Sequence, residues 1–154
     1  MTRRPWPAPG AEASVSLPTF LADKSALTRR ETRPEAREIL EPLLLAGEIA
    51  TCGIVDLELL YSARNRATYR SLSEALRGMP RVPMEEAVMT RALEVQASLA
   101  ECSQHRAVPL PDLLVAACAE RAGLTVLHYD ADFERVAEIT GQETQWILPR
   151  GSIS

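Results

Sequence analysis

The chain has 154 residues, of which 46% are apolar and 25% charged, and its formal net charge is −4. That length suits one compact domain with its own core, and three widely spaced cysteines (Cys52, Cys102 and Cys118) exclude a disulfide framework and read as reduced thiols of a cytoplasmic protein. The negative charge argues against a generally basic nucleic-acid binder, and no run approaches the roughly 20 apolar residues that span a bilayer.

Residues 1–18 carry Arg3 and Arg4, then Pro5, Pro7, Pro9, Gly10 and Pro18. They hold no apolar stretch, so they do not form a secretory signal and are expected to be a flexible proline-rich extension. Residues 19–22 predict a short buried strand ending at Asp23, and 24–30 a short helix. Pro34 suits the first turn of the next helix. Its apolar positions Ala36, Ile39, Leu40, Leu43 and Leu44 repeat at helical spacing up to Gly47. Pro42 falls inside that run and predicts a kink or a split. A strand follows at 48–51, then helices at 53–64 and 68–77, the second stopped by Gly78 and Pro80, and a minimal strand at 81–82.

Pro83 starts the longest helix, reaching about residue 103, and 105–110 form a loop. Pro111 opens a helix to 122 that ends at Gly123. A strand at 125–128, a helix at 130–140 stopped by Gly141, and a last strand at 145–148 complete one domain over 19–149, with a tail at 150–154. Strands alternating with helices imply an α/β domain with a largely parallel sheet.

Five acids adjoin apolar runs: Asp23, Glu58, Asp112, Asp130 and Asp132. A carboxylate beside a core is costly unless it is paired or holds a metal. In parallel sheets, ligands bind beyond the carboxyl ends of the strands. Asp23 follows one strand, and Asp130 and Asp132 follow another, so they share an edge if those strands are neighbours. Glu58 and Asp112, read as lying near helix starts, can point back at that edge. Oxygen-only ligands point to Mg²⁺ or Mn²⁺.

Plainer roles stand beside this one. An acid in a first turn, such as Asp112 or Asp132, favours the helix dipole. Glu58 can lie on the edge of an amphipathic helix, and the neighbouring Asp56 reads as solvated or capping. His128 reads as a half-buried strand-end residue with a hydrogen-bond partner. Cys102 and His105 are a lone pair without the further ligands of a zinc site.

Charge is unevenly distributed. Residues 61–81 hold five arginines (Arg64, Arg66, Arg70, Arg77 and Arg81) against one acid, Glu74. They form either a solvated face or a basic rim able to hold a phosphate backbone beside an acidic centre.

Four segments carry a resemblance: Leu-Ala-Asp-Lys-Ser-Ala-Leu at 21–27, Leu-Glu-Leu-Leu-Tyr-Ser-Ala-Arg at 57–64, Pro-Leu-Pro-Asp-Leu-Leu-Val-Ala-Ala at 109–117, and Leu-His-Tyr-Asp-Ala-Asp-Phe at 127–133. In this order they resemble the PIN domain, and within it the VapC toxins of VapBC toxin–antitoxin systems. The resemblance covers about residues 19–149. It implies a small, mostly parallel sheet flanked by helices, with the acids in one cleft. It also implies an Mg²⁺-dependent endoribonuclease, with Mn²⁺ able to substitute, that cleaves structured RNA (tRNA or rRNA) and so inhibits translation.

Asp23, Glu58 and Asp112 match the family's three core acids, and Asp130 matches the fourth best, with Asp132 as the competing position. Ser25 matches the small hydroxyl residue of the first motif. Lys24 stands where the family commonly has Thr, which alters the cleft rim and leaves the acids in place. Arg64, six residues past Glu58 and expected on the same helix, is the candidate phosphate contact. The resemblance further implies a cognate VapB-type antitoxin and a homodimer. A phospho-accepting receiver domain is disfavoured, because the only lysine is Lys24, directly after the first acid. A non-catalytic PIN domain that binds metal or RNA is the other alternative.

Overall fold

The computed structural model describes residues 18–152. The extension expected over 1–18 thus lies, apart from Pro18, outside the described residues. Five strands, β1 (Phe20–Ala22), β2 (Ile49–Cys52), β3 (Arg81–Val82), β4 (Thr125–His128) and β5 (Thr144–Trp146), form one sheet in the order β3-β2-β1-β4-β5. Every neighbouring pair is parallel, as the alternation of strands and helices predicts.

Successive strand residues face opposite sides of a sheet, and both sides are covered here. Leu21, Ala50, Cys52 and Val126 join an apolar cluster with Val55, Val95 and Leu113. Phe20, Ala22, Ile49 and Leu127 join another with Leu40, Leu43 and Ile147. A strand buried on both faces carries apolar residues on both sides, and Phe20–Ala22 and the Val126 and Leu127 pair inside β4 make these short strands recognisable.

Eight helices connect these strands among the described residues: α1 (Lys24–Leu27), α2 (Arg29–Thr32), α3 (Pro34–Leu45), α4 (Gly53–Tyr61), α5 (Arg66–Arg77), α6 (Glu86–Glu101), α7 (Leu110–Ala122) and α8 (Asp132–Thr140). None is long and apolar enough to cross a membrane. The helix expected over 24–30 is instead two single turns, α1 and α2, meeting at Thr28.

Pro42 does not split α3. Proline removes one backbone donor, but Ala46 N–H still reaches the Pro42 carbonyl at 3.0 Å, and buried Leu40 and Leu43 hold the helix on both sides of it. Pro83 does not start α6, because the backbone stays extended to Glu85 (ψ 170°) before the helix begins at Glu86. Gly123 ends α7 with φ +72°, the left-handed conformation that suits glycine.

α4 stops at Tyr61, short of Arg64. Ser62 and Ala63 donate back to the Leu59 and Leu60 carbonyls at 3.2 and 3.1 Å and close the last turn. Asn65 then starts α5, its side-chain oxygen accepting from Thr68 N–H at 2.8 Å. Arg64 therefore lies in the connection between α4 and α5, not on the helix of Glu58.

Candidate metal centre

Strands β2 and β3 lie to one side of β1, and β4 and β5 to the other. The chain reverses its winding direction at β1, and such a switch point leaves a crevice beyond the strand carboxyl ends. Asp23 is the first residue after β1, and Asp130 comes two residues after β4. β1 and β4 are hydrogen-bonded neighbours with Ala22 opposite Leu127, so both acids stand at one edge.

Asp23 is almost wholly buried. It caps α1, with Oδ2 accepting from Ser25 N–H at 3.0 Å, and its own N–H donates to the Leu127 carbonyl at 2.9 Å. Ser25 Oγ accepts from Tyr129 N–H at 2.9 Å. The first-motif serine thus fastens the end of β1 to the end of β4. Burial raises the Asp23 pKa, the Ser25 hydrogen bonds oppose that, and Glu58 and Asp130 raise it further.

Asp112 enters from the first turn of α7 and is also buried. Burial first, and then the charges of Asp23, Asp130, Asp132 and Glu58, push its carboxyl up to about 8. A first-turn carboxylate acting only through the helix dipole is better stabilised when charged. The upward shift shows that desolvation and the neighbouring acids dominate here.

Asp130 and Asp132 are half-buried and linked: Asp130 Oδ1 accepts from Asp132 N–H at 2.9 Å. Asp132 begins α8, and burial followed by the Asp130 charge raises its pKa. Asp112, Asp130 and Asp132 each offer a carboxylate oxygen within 4.8 Å of the others. Both members of the late Asp-x-Asp pair therefore stand in the cluster.

Glu58 is the sixth residue of α4, not near its start as the sequence suggested. It reaches the cleft along its side chain, with Oε2 3.1 Å from Lys24 Nζ. Glu58 in turn raises the Lys24 pKa above the ordinary lysine range. Sequence reasoning assigned Lys24 only to the cleft rim. Its position directly after the first acid was the available signal for this pair.

Two further expectations change. Asp56 is neither solvated nor capping: it is buried, accepts from Thr51 Oγ1 at 2.6 Å and pairs with Arg81. It therefore ties α4 to β2 and β3, and it removes Arg81 from the basic rim. His128 is fully buried, not half-buried. Its Nδ1 accepts from Asp130 N–H at 3.1 Å, and its ring packs on Phe133 and Trp146. It shapes the loop that carries Asp130.

The fit of a cation can be tested on the oxygens themselves. Asp23 Oδ1, Glu58 Oε1 and Asp112 Oδ2 are buried and have no hydrogen-bond partner. An unmet buried acceptor costs about 1–3 kcal/mol, and more when charged. A divalent ion held there would satisfy such oxygens and relieve the mutual repulsion, and an all-oxygen donor set suits a hard cation.

Arg64 is exposed and lies in the α4–α5 connection. With Arg66, Tyr69 and Arg70 it lines a shallow surface concavity of about 440 Å³. Guanidinium groups beside an aromatic ring form a surface suited to a phosphate backbone and an unstacked base.

Residues 21–139 match the family described as the PIN domain. The chain is 44% identical over 134 residues to the ribonuclease VapC21 of Mycobacterium tuberculosis, across 86% of this chain and 96% of the relative. It is 46% identical over 134 residues to the ribonuclease VapC51 of the same species, across 87% and 96%. In fold it is similar to a chain of the DNA-bound VapBC complex from Salmonella typhimurium, with a TM-score of 0.70, 17% identity, and coverage of 86% of this chain and 100% of that one.

Proposed function

Because the chain belongs to the PIN-domain family, and within it to the VapC toxins, we propose that it is a metal-dependent endoribonuclease toxin. It cuts structured RNA, tRNA or rRNA, and so inhibits translation. The observation that carries this reading is the acid group at the switch point of the sheet, where Asp112, Asp130 and Asp132 offer oxygens within 4.8 Å of one another and Asp23, Glu58 and Asp112 each keep a buried oxygen without a partner. Asp23, Glu58, Asp112 and Asp130 are the catalytic acids. The same four, with Asp132, would hold Mg²⁺, for which Mn²⁺ could substitute.

A divalent ion bound there would lower the pKa of a coordinated water and neutralise charge developing on the scissile phosphate. The protein supplies the rest. Ser25 fixes the Asp23 carboxylate through its N–H and anchors β4 through Oγ. Burial of Asp23 and Asp112 keeps bulk water from screening the site. Asp130 is positioned by His128 and in turn positions Asp132. Asp112 must release a proton to bind the ion, so ion affinity rises with pH up to about 8.

The test is incubation of purified protein with total cellular RNA in Mg²⁺, Mn²⁺ or EDTA. Discrete fragments in either metal and none in EDTA support the reading, and their ends name the target. A folded, antitoxin-free protein that binds RNA without cutting it is instead the non-catalytic binding domain.

The arginine concavity gives a second measurable outcome. Arg64→Ala with Arg70→Ala should weaken RNA binding about tenfold. The slope of log affinity against log salt should fall by about 0.7 for each phosphate the protein no longer neutralises. An unchanged slope removes these arginines from the RNA path.

The chain is also proposed to form a homodimer and to be neutralised by a cognate VapB-type antitoxin. Support for the antitoxin comes from Leu45, Leu57 and Tyr61, large apolar side chains left 86%, 66% and 92% exposed between residues 34 and 77. An amphipathic partner segment would cover such positions. Hydrogen-exchange protection on antitoxin binding should therefore fall on α3–α5. Protection confined to α6 sinks this placement.

A further inference from the structure

Lys24 is the only lysine of the chain. Its Nζ lies 3.1 Å from Glu58 Oε2, with the lysine side chain 51% exposed and that of Glu58 18% exposed. The cation thus sits at the mouth of the cleft and the acid inside it. The ammonium also lies in the field of Asp23 and Asp112. Neither Glu58 nor Asp23 is among the three acids, Asp112, Asp130 and Asp132, whose oxygens converge within 4.8 Å, and Glu58 Oε2 has an ammonium against it. The cleft therefore presents two positions for positive charge. One lies among the aspartates, where Asp112 Oδ2 and the nearby Asp23 Oδ1 lack partners and Glu58 Oε1 adds a third unmet oxygen. The other lies at the second Glu58 oxygen, Oε2, and is already held by Lys24.

We infer that Lys24 is the resident second cation of this cleft: paired with Glu58, its ammonium stands where a second divalent ion would bind, so the cleft takes one ion and not two. An ammonium has three donors, and the Glu58 contact uses one. The others are available to a non-bridging oxygen of the scissile phosphate, which is the contact a second ion would otherwise make. A fixed amine provides that charge without the geometric demands of Mg²⁺ coordination. The phosphate contact rests on the ribonuclease reading, whereas the ion count does not.

Mn²⁺ binding to the full-length chain, measured by calorimetry and by the electron paramagnetic resonance of free Mn²⁺ without RNA, tests this directly. The wild type and Lys24→Arg, which keeps the cation, should each bind one ion. Lys24→Met, which keeps the bulk and removes the charge, should bind a second ion, and Glu58→Gln added to it should restore a count of one. Two ions in the wild type overturn the inference. So does a Lys24→Met protein matching the wild type in count and affinity. No ion in any variant overturns it together with the metal reading. The expected counts with no RNA cleavage would remove the ribonuclease reading and leave Lys24 in its place.

Discussion

Asp23→Asn should reduce RNA cleavage by at least about a thousandfold while leaving the fold as stable as before, or firmer. The two halves of this expectation come from different atoms. Asparagine still offers a side-chain oxygen to Ser25 N–H, so the cap on α1 survives. The bond from the Asp23 N–H to the Leu127 carbonyl is backbone and is untouched. What disappears is a buried negative charge that Glu58 and Asp130 already oppose, so the metal-free fold loses repulsion. The proposed site loses a charged ligand. A thousandfold loss corresponds to about 4 kcal/mol of transition-state stabilisation at 1.36 kcal/mol per decade, a magnitude in keeping with removing direct charge support for an ion. Single-turnover cleavage rates and thermal melts of the same preparation check both halves. Loss of the soluble fold would make Asp23 structural, and retained cleavage would take it out of the ligand set.

Much of this arrangement is legible in the sequence, and the illegible part has a pattern. Apolar runs broken by proline and glycine mark β1, β4 and α7, because a doubly covered parallel strand carries apolar residues on both faces, as Phe20–Ala22 and Val126 with Leu127 do, and Gly123 takes a positive φ. Order along the chain also places Asp23 and Asp130 at strand ends. Pairing is harder to read. Asp56 and Glu58 are two residues apart on one helix and both are carboxylates. One is spent on Thr51 and Arg81, and the other meets Lys24. Only the approach of β3 and of α1 decides which is which. That approach depends on residues far apart in sequence, to which local periodicity is blind. The end of α4 is missed for a related reason. Its last turn closes on its own carbonyls at Ser62 and Ala63 without a glycine or proline to announce it.

The metal-free protein should lose stability as pH rises from about 4 to about 8, and Asp112→Asn should abolish most of that loss. An exposed aspartate titrates near 3.8, whereas folded Asp112 titrates near 8. Between those values the folded chain keeps a proton that the unfolded chain releases. Stability therefore falls with rising pH across this window, and the penalty from this group vanishes below it. Each pKa unit is worth about 1.4 kcal/mol. The neighbouring acids share the effect, so a loss of a few kcal/mol, or roughly 10 °C in Tm for a chain of this size, is expected by pH 8. Wild type and Asp112→Asn should coincide near pH 4 and diverge steadily above it, with the variant the more stable. Saturating Mn²⁺ should close the gap from the wild-type side, adding about 2.7 kcal/mol at a hundred times the dissociation constant, and should shift the variant far less. Parallel Tm–pH curves with and without Asp112 would mean that the buried carboxyl is relieved within the protein, and the case for a cation in this cleft would lose its strongest electrostatic support.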